Sequence, residues 1–89
     1  MIKILVVDDD LDILELLKYN LSKSGYDVSC AENGEKAIEV ARKFKPDLIL
    51  LDVMMPEKDG VEVCAILRDD PMFNDTFIVF LTARNEDYT

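Results

Sequence analysis

Ile4-Leu5-Val6-Val7-Asp8-Asp9-Asp10 is an apolar run that stops dead on three carboxylates, and Leu48-Ile49-Leu50-Leu51-Asp52 repeats the pattern further along the chain. Continuous Val/Ile/Leu runs of this length are the mark of parallel strands covered on both faces, and open α/β sheets bind ligands just beyond the carboxyl ends of such strands. If the two runs are neighbours, Asp8, Asp9 and Asp52 crowd several negative oxygens around one point. Such a cluster repels itself unless a cation sits within it. The pattern therefore predicts a fold and a divalent metal site together.

Between these runs the apolar residues switch between strand-like and helix-like spacing in the order βαβαβαβ. The first strand is expected over Ile2 to Val7 and the first helix over Leu11 to Ser24, with Leu14, Leu17 and Leu21 on one stripe, Asp10 or Asp12 as its cap and Gly25 to stop it. Tyr26 to Ala31 alternates more, as an edge strand does. Asn33 caps a second helix with Ala37, Ile38, Ala41 and Phe44 inward, and Pro46 ends it. A third strand runs from Asp47 to Asp52. Asp59 and Glu62 form a capping box for a third helix that buries Val63, Cys64 and Leu67, and Pro71 closes that segment. Phe77 to Leu81 is the fourth strand, followed by Thr82-Ala83 and the first residues of a fourth helix. Alternating strands and helices with right-handed crossovers give a doubly wound parallel sheet. In the order 2-1-3-4, strands one and three meet at the switch point.

With 89 residues, 49% of them hydrophobic and 33% charged, the chain is one small folded domain. A domain of this size hides only about 60–70% of the surface its extended chain would expose. The net charge of −9 argues against direct contact with nucleic acid by this segment. Cys30 and Cys64 lack the spacing of a zinc site and read as small buried apolar residues, so a reduced, cytoplasmic chain is expected. No basic leader precedes the first strand and no apolar run is long enough to span a bilayer, so no membrane partner is expected.

A hard cation such as Mg²⁺ takes oxygen ligands, one or two of them carboxylates, and keeps water or phosphate oxygens in its remaining positions. Asp9 and Asp52 can supply the carboxylates, Asp8 can bind directly or through water, and a backbone carbonyl from the loop after Asp52 can complete the protein's share. Asp52 is also a candidate nucleophile toward phosphorus, with Thr82 placed to hydrogen-bond a phosphoryl oxygen. The chain has no histidine, which excludes imidazole as a general base. Met54 and Met55 read as loop packing residues, because Mg²⁺ disfavours soft donors.

Val6-Val7-Asp8-Asp9, Leu51-Asp52-Val53-Met54-Met55-Pro56-Glu57-Lys58-Asp59-Gly60 and Leu81-Thr82-Ala83 together resemble the receiver domain of two-component response regulators. The resemblance covers essentially the whole chain and implies a flavodoxin-like fold. It further implies that Asp52 accepts a phosphoryl group from a phosphohistidine on a sensor histidine kinase. Asp8, Asp9, Asp52 and the Met54 backbone carbonyl would bind Mg²⁺, and Thr82 would be the switch hydroxyl. Met54 and Arg84 would tune the lifetime of the phosphoryl group, and transcription regulation would follow through a separate output domain.

Receivers similar to this one continue through a fourth helix, a fifth strand ending in an essential lysine, and a fifth helix. The chain over 1–89 is accordingly expected to be a receiver lacking most of that stretch, impaired in phosphorylation and signalling. Its fourth strand is expected to be an uncovered apolar edge that pairs in a homodimer or swapped assembly. Two other classes fit the residues: a receiver-like interaction module without phosphotransfer, and a Mg²⁺-dependent phosphatase with an aspartyl nucleophile. The phosphatase class usually carries an acid two residues after the nucleophile, where this chain has Met54.

Overall fold

The computed structural model describes residues 1–55 and 58–81. Four strands, β1 (Lys3–Val7), β2 (Asp27–Ala31), β3 (Leu48–Asp52) and β4 (Phe77–Leu81), alternate with three helices, α1 (Leu11–Lys23), α2 (Gly34–Phe44) and α3 (Gly60–Arg68). All strand pairs are parallel and the sheet order is β2-β1-β3-β4. The strand order and the element types are those the apolar periodicity predicts.

Both faces of the sheet are covered, which is why its central strands need apolar residues at every position. Leu5 and Val7 of β1 and Ile49 and Leu51 of β3 enter a core with Ala37 and Ala41 of α2, Val63 and Leu67 of α3, and Phe73. Ile4 and Val6 face the other way, onto Leu14 of α1, with Leu17, Leu21, Leu48 and Leu50 packed against them. Each parity of the run therefore has its own helix layer. Exposed α1 positions such as Leu11, Leu16 and Tyr19 lie off this stripe.

Each helix starts at a side chain that satisfies an otherwise orphaned amide. Asp10 accepts from the Asp12 amide at 3.0 Å, Asn33 from Lys36 at 2.8 Å and Asp59 from Glu62 at 2.9 Å. The Glu62 carboxylate turns to Lys58 Nζ, 3.6 Å away. Helix α1 stops at Lys23, one residue sooner than its pattern predicts. Ser24 is the C-cap, and Gly25 takes the left-handed turn at φ +98° that returns the chain toward β2. Strands β1, β2 and β3 each begin one residue later than expected, although the Asp27 amide still donates to the Ile2 carbonyl at 2.9 Å.

Between α3 and β4 a 3-10 turn spans Pro71–Phe73 where the sequence reading has only a stop. Arg68 holds it, donating to the carbonyls of Phe73 at 2.8 Å and Thr76 at 2.7 Å, and the Thr76 hydroxyl donates to the Pro46 carbonyl at 3.2 Å. Cys30 and Cys64 are half-buried, not fully buried as expected: one lies on the edge strand and the other in the middle of α3, packed against the core without being enclosed by it. Met54 departs further from its expected packing role, with 60% of its surface exposed, whereas Met55 is buried. Among the described residues no helix is long and apolar enough to cross a membrane.

Candidate metal centre

The register of the two central strands builds the site. Val7 pairs with Leu51, so Asp8 and Asp52 stand side by side one position on, and Asp9 follows at the start of the β1–α1 turn. One oxygen from each of Asp8, Asp9 and Asp52 falls within 4.8 Å of the others. Asp8 and Asp52 are buried, at 2% and 0% exposure, while Asp9 is exposed. All three helices begin at this end of the sheet, so the positive ends of their peptide dipoles face the crevice. The three acids called from the sequence are thus brought together, and Asp10 is set apart as the cap of α1.

The two buried carboxylates are anchored alike. Asp8 Oδ1 accepts from the Asp10 amide at 2.9 Å, and Asp52 Oδ1 accepts from the Met54 amide at 3.1 Å. Each acid closes a turn on the amide two residues ahead, which fixes its rotamer where the strand ends. The second oxygen of Asp52 is different. Asp52 Oδ2 is buried and has no hydrogen-bond partner among the described residues.

Two ionised carboxylates at 4.8 Å repel by about 3–4 kcal/mol at an effective dielectric constant of about 20. Solvent screens the exposed Asp9 from much of this. The buried Asp52 oxygen has no such relief, since a buried polar atom without a partner costs about 1–3 kcal/mol. A hard divalent cation answers both costs, and an all-oxygen donor set with a water-accessible side suits Mg²⁺. On these grounds the residues fit the metal.

The loop leaving Asp52 is held from two sides. The Gly60 amide donates to the Val53 carbonyl at 3.0 Å, tying the start of α3 to the residue after β3. A Cβ at Gly60 would overlap the Asp52 carbonyl and come within 2.9 Å of the Val53 Cα, so only glycine lets α3 start against the strand end. Sequence reasoning treats Asp59-Gly60 as architectural; its contact with Asp52 is visible only once the chain is folded. An open cavity lined by Val53, Met54, Met55 and Asp59 lies over this loop. Thr82 and Arg84 lie outside the described residues. The register places Leu81, the last described residue, opposite Asp52.

A doubly wound parallel sheet with an acid trio at its switch point, two of the three buried, defines an α/β module suited to cation and phosphoryl chemistry. The family model for the response regulator receiver domain matches residues 4–89, and the chain belongs to that family.

The chain is 52% identical over 86 residues to the alkaline phosphatase synthesis transcriptional regulatory protein PhoP of Bacillus subtilis, a match over 97% of this chain and 35% of that protein. It thus spans about a third of the length of this curated relative. Among solved structures, the chemotaxis response regulator CheY4 of Vibrio cholerae superposes with a TM-score of 0.89 at 33% identity, over 99% of this chain and 73% of that one. The N-terminal domain of a response regulator receiver protein from Methanoculleus marisnigri gives 0.87 at 38% identity, over 92% and 67% of the two chains. A chain from the complex of histidine kinase ThkA with response regulator protein TrrA gives 0.83 at 43% identity, over 93% and 70%.

Proposed function

We propose that Asp52 is the phosphoacceptor of this receiver, that Asp8, Asp9, Asp52 and the Met54 backbone carbonyl hold Mg²⁺, and that the donor is a phosphohistidine on a sensor kinase. The observation that carries this reading is the buried Asp52 Oδ2, without a hydrogen-bond partner among the described residues, within a cluster whose three ligand oxygens lie 4.8 Å apart or less. When bound, the cation neutralises the carboxylates and the phosphoryl oxygens as they approach. One Asp52 oxygen attacks phosphorus, an O–P bond forms, the P–N bond breaks, and its electron pair returns to the imidazole nitrogen. The Met54 amide fixes the carboxylate's orientation throughout. Asp8, anchored on the Asp10 amide, presents its charge to the same point. Thr82 is assigned the switch hydroxyl because it follows Leu81, the residue paired with Asp52.

The group acts on itself: it accepts a phosphoryl group and, by the same geometry, takes part in losing it to water. A cytoplasmic location fits partnership with a kinase, and a transcriptional output in the longer protein fits the relative's role. The β4 edge, where Phe77, Val79 and Phe80 are 74%, 49% and 38% exposed, supports self-association through that strand.

The test uses Mg²⁺ and acetyl phosphate, read by intact mass. One acid-stable, hydroxylamine-labile phosphoryl group is expected on the parent and none on Asp52→Asn. An equal adduct on both proteins contradicts the assignment. Measurable Mg²⁺ binding without any adduct favours the interaction module instead, and turnover of a phosphomonoester favours a phosphatase.

A further inference from the structure

The N-terminus of α2 touches the loop that leaves Asp52, and it does so through a residue with no side chain. A Cβ built on Gly34 would lie 2.8 Å from the Lys58 carbonyl oxygen, 2.9 Å from Lys58 Cβ and 2.8 Å from Val63 Cγ2. Two of these three atoms belong to the backbone or the Cβ of the loop and cannot rotate away. The third sits on a stiff β-branched side chain that is fully buried.

Resting on the proposed cation site, we infer that Gly34 is a positioning residue for that site, setting from a different helix where the loop carries the Met54 backbone. The mechanical route is short. Lys58 lies two residues before Gly60, and Gly60 is locked to β3 by its bond to Val53 and by its approach to the Asp52 carbonyl. A push on Lys58 therefore reaches Val53 through Gly60. Met54 is the next residue, with its amide on Asp52 Oδ1. Gly34 itself touches neither metal ligand nor nucleophile.

Helix propensity runs against glycine in this position, since alanine is the better helix former. A purely structural view of α2 therefore expects Gly34→Ala to be tolerated or stabilising and to leave cation affinity alone. The positioning role predicts the opposite. Magnesium titrations followed by amide NMR should show affinity falling at least threefold in Gly34→Ala. In the metal-free protein, the amides of Val53 and Met54 should already be displaced. Gly25→Ala is the control: Gly25 has φ +98° and nothing within 4 Å of its would-be Cβ. That change strains a distant turn and should lower stability while leaving Mg²⁺ affinity as in the parent.

A double variant, Gly34→Ala with Val63→Ala, removes the collision with α3 and keeps both collisions with the loop. It should remain weakened. Parental affinity in Gly34→Ala or in the double variant, or an equal loss in Gly25→Ala, would overturn the inference. Should the parent fail to bind Mg²⁺, the cation site is refuted separately. The metal-free amide shifts then decide for Gly34: undisturbed Val53 and Met54 resonances defeat it and displaced ones uphold it.

Discussion

Asp52 shows how one residue acquires a task from its surroundings. Its Oδ1 is fixed by the Met54 amide, and its Oδ2 has no donor among the described residues. Asp52→Asn removes one of three crowded charges, so the metal-free variant should be more stable than the parent by on the order of 1 kcal/mol in chemical denaturation; a less stable variant would mean that the carboxylate is satisfied without a cation. The acids themselves were legible because each ends an apolar run. Their anchoring was not, since it depends on the turn each strand end adopts. Cys30 makes a separate point at this scale. Burial pushes its thiol above the ordinary value, with Lys18 pulling weakly the other way, and Sγ lies 3.9 Å from the Leu14 carbonyl. A raised value leaves less thiolate at neutral pH, so alkylation by iodoacetamide should run several-fold slower than for free cysteine and recover as pH rises. A rate equal to that of free cysteine at neutral pH would contradict this.

The elements were readable to the extent that their signals are local. Caps at Asp10, Asn33 and Asp59 and the apolar runs of β1, β3 and β4 are written in consecutive residues, and β3 and β4 end where the runs end. The Pro71–Phe73 turn escaped notice because its stability comes from elsewhere: Arg68 reaches forward to Phe73 and Thr76, and Thr76 reaches back to Pro46. Nothing in the local pattern of Pro71-Met72-Phe73 announces those partners. Arg68→Ala should cost about 2–3 kcal/mol, because two carbonyls lose a charged donor at once; a loss under about 0.5 kcal/mol would show that water replaces it freely. Asp59→Ala should cost about 1 kcal/mol as a lost helix cap. It also loosens the start of α3, on which the loop beside Asp52 depends.

At the scale of the whole molecule, the sheet order converts four separate sequence signals into one crevice. The meeting of Asp8 with Asp52 follows from no one segment; it follows from β1 lying beside β3. Among the described residues the same topology sets β4 at an edge, with Phe77, Val79 and Phe80 exposed. Sedimentation should therefore show a concentration-dependent larger species, reduced by Val79→Lys; a monomer at all concentrations would count against assembly through this strand. If folding itself builds the proposed Mg²⁺ site, the metal must favour the folded state. Urea unfolding with Mg²⁺ at about a hundred times its dissociation constant should show the parent stabilised by about 2.7 kcal/mol. The exposed-acid control Asp27→Asn should keep this gain and Asp52→Asn should lose most of it. Equal stabilisation of the parent and Asp52→Asn, or none in the parent, would contradict the account.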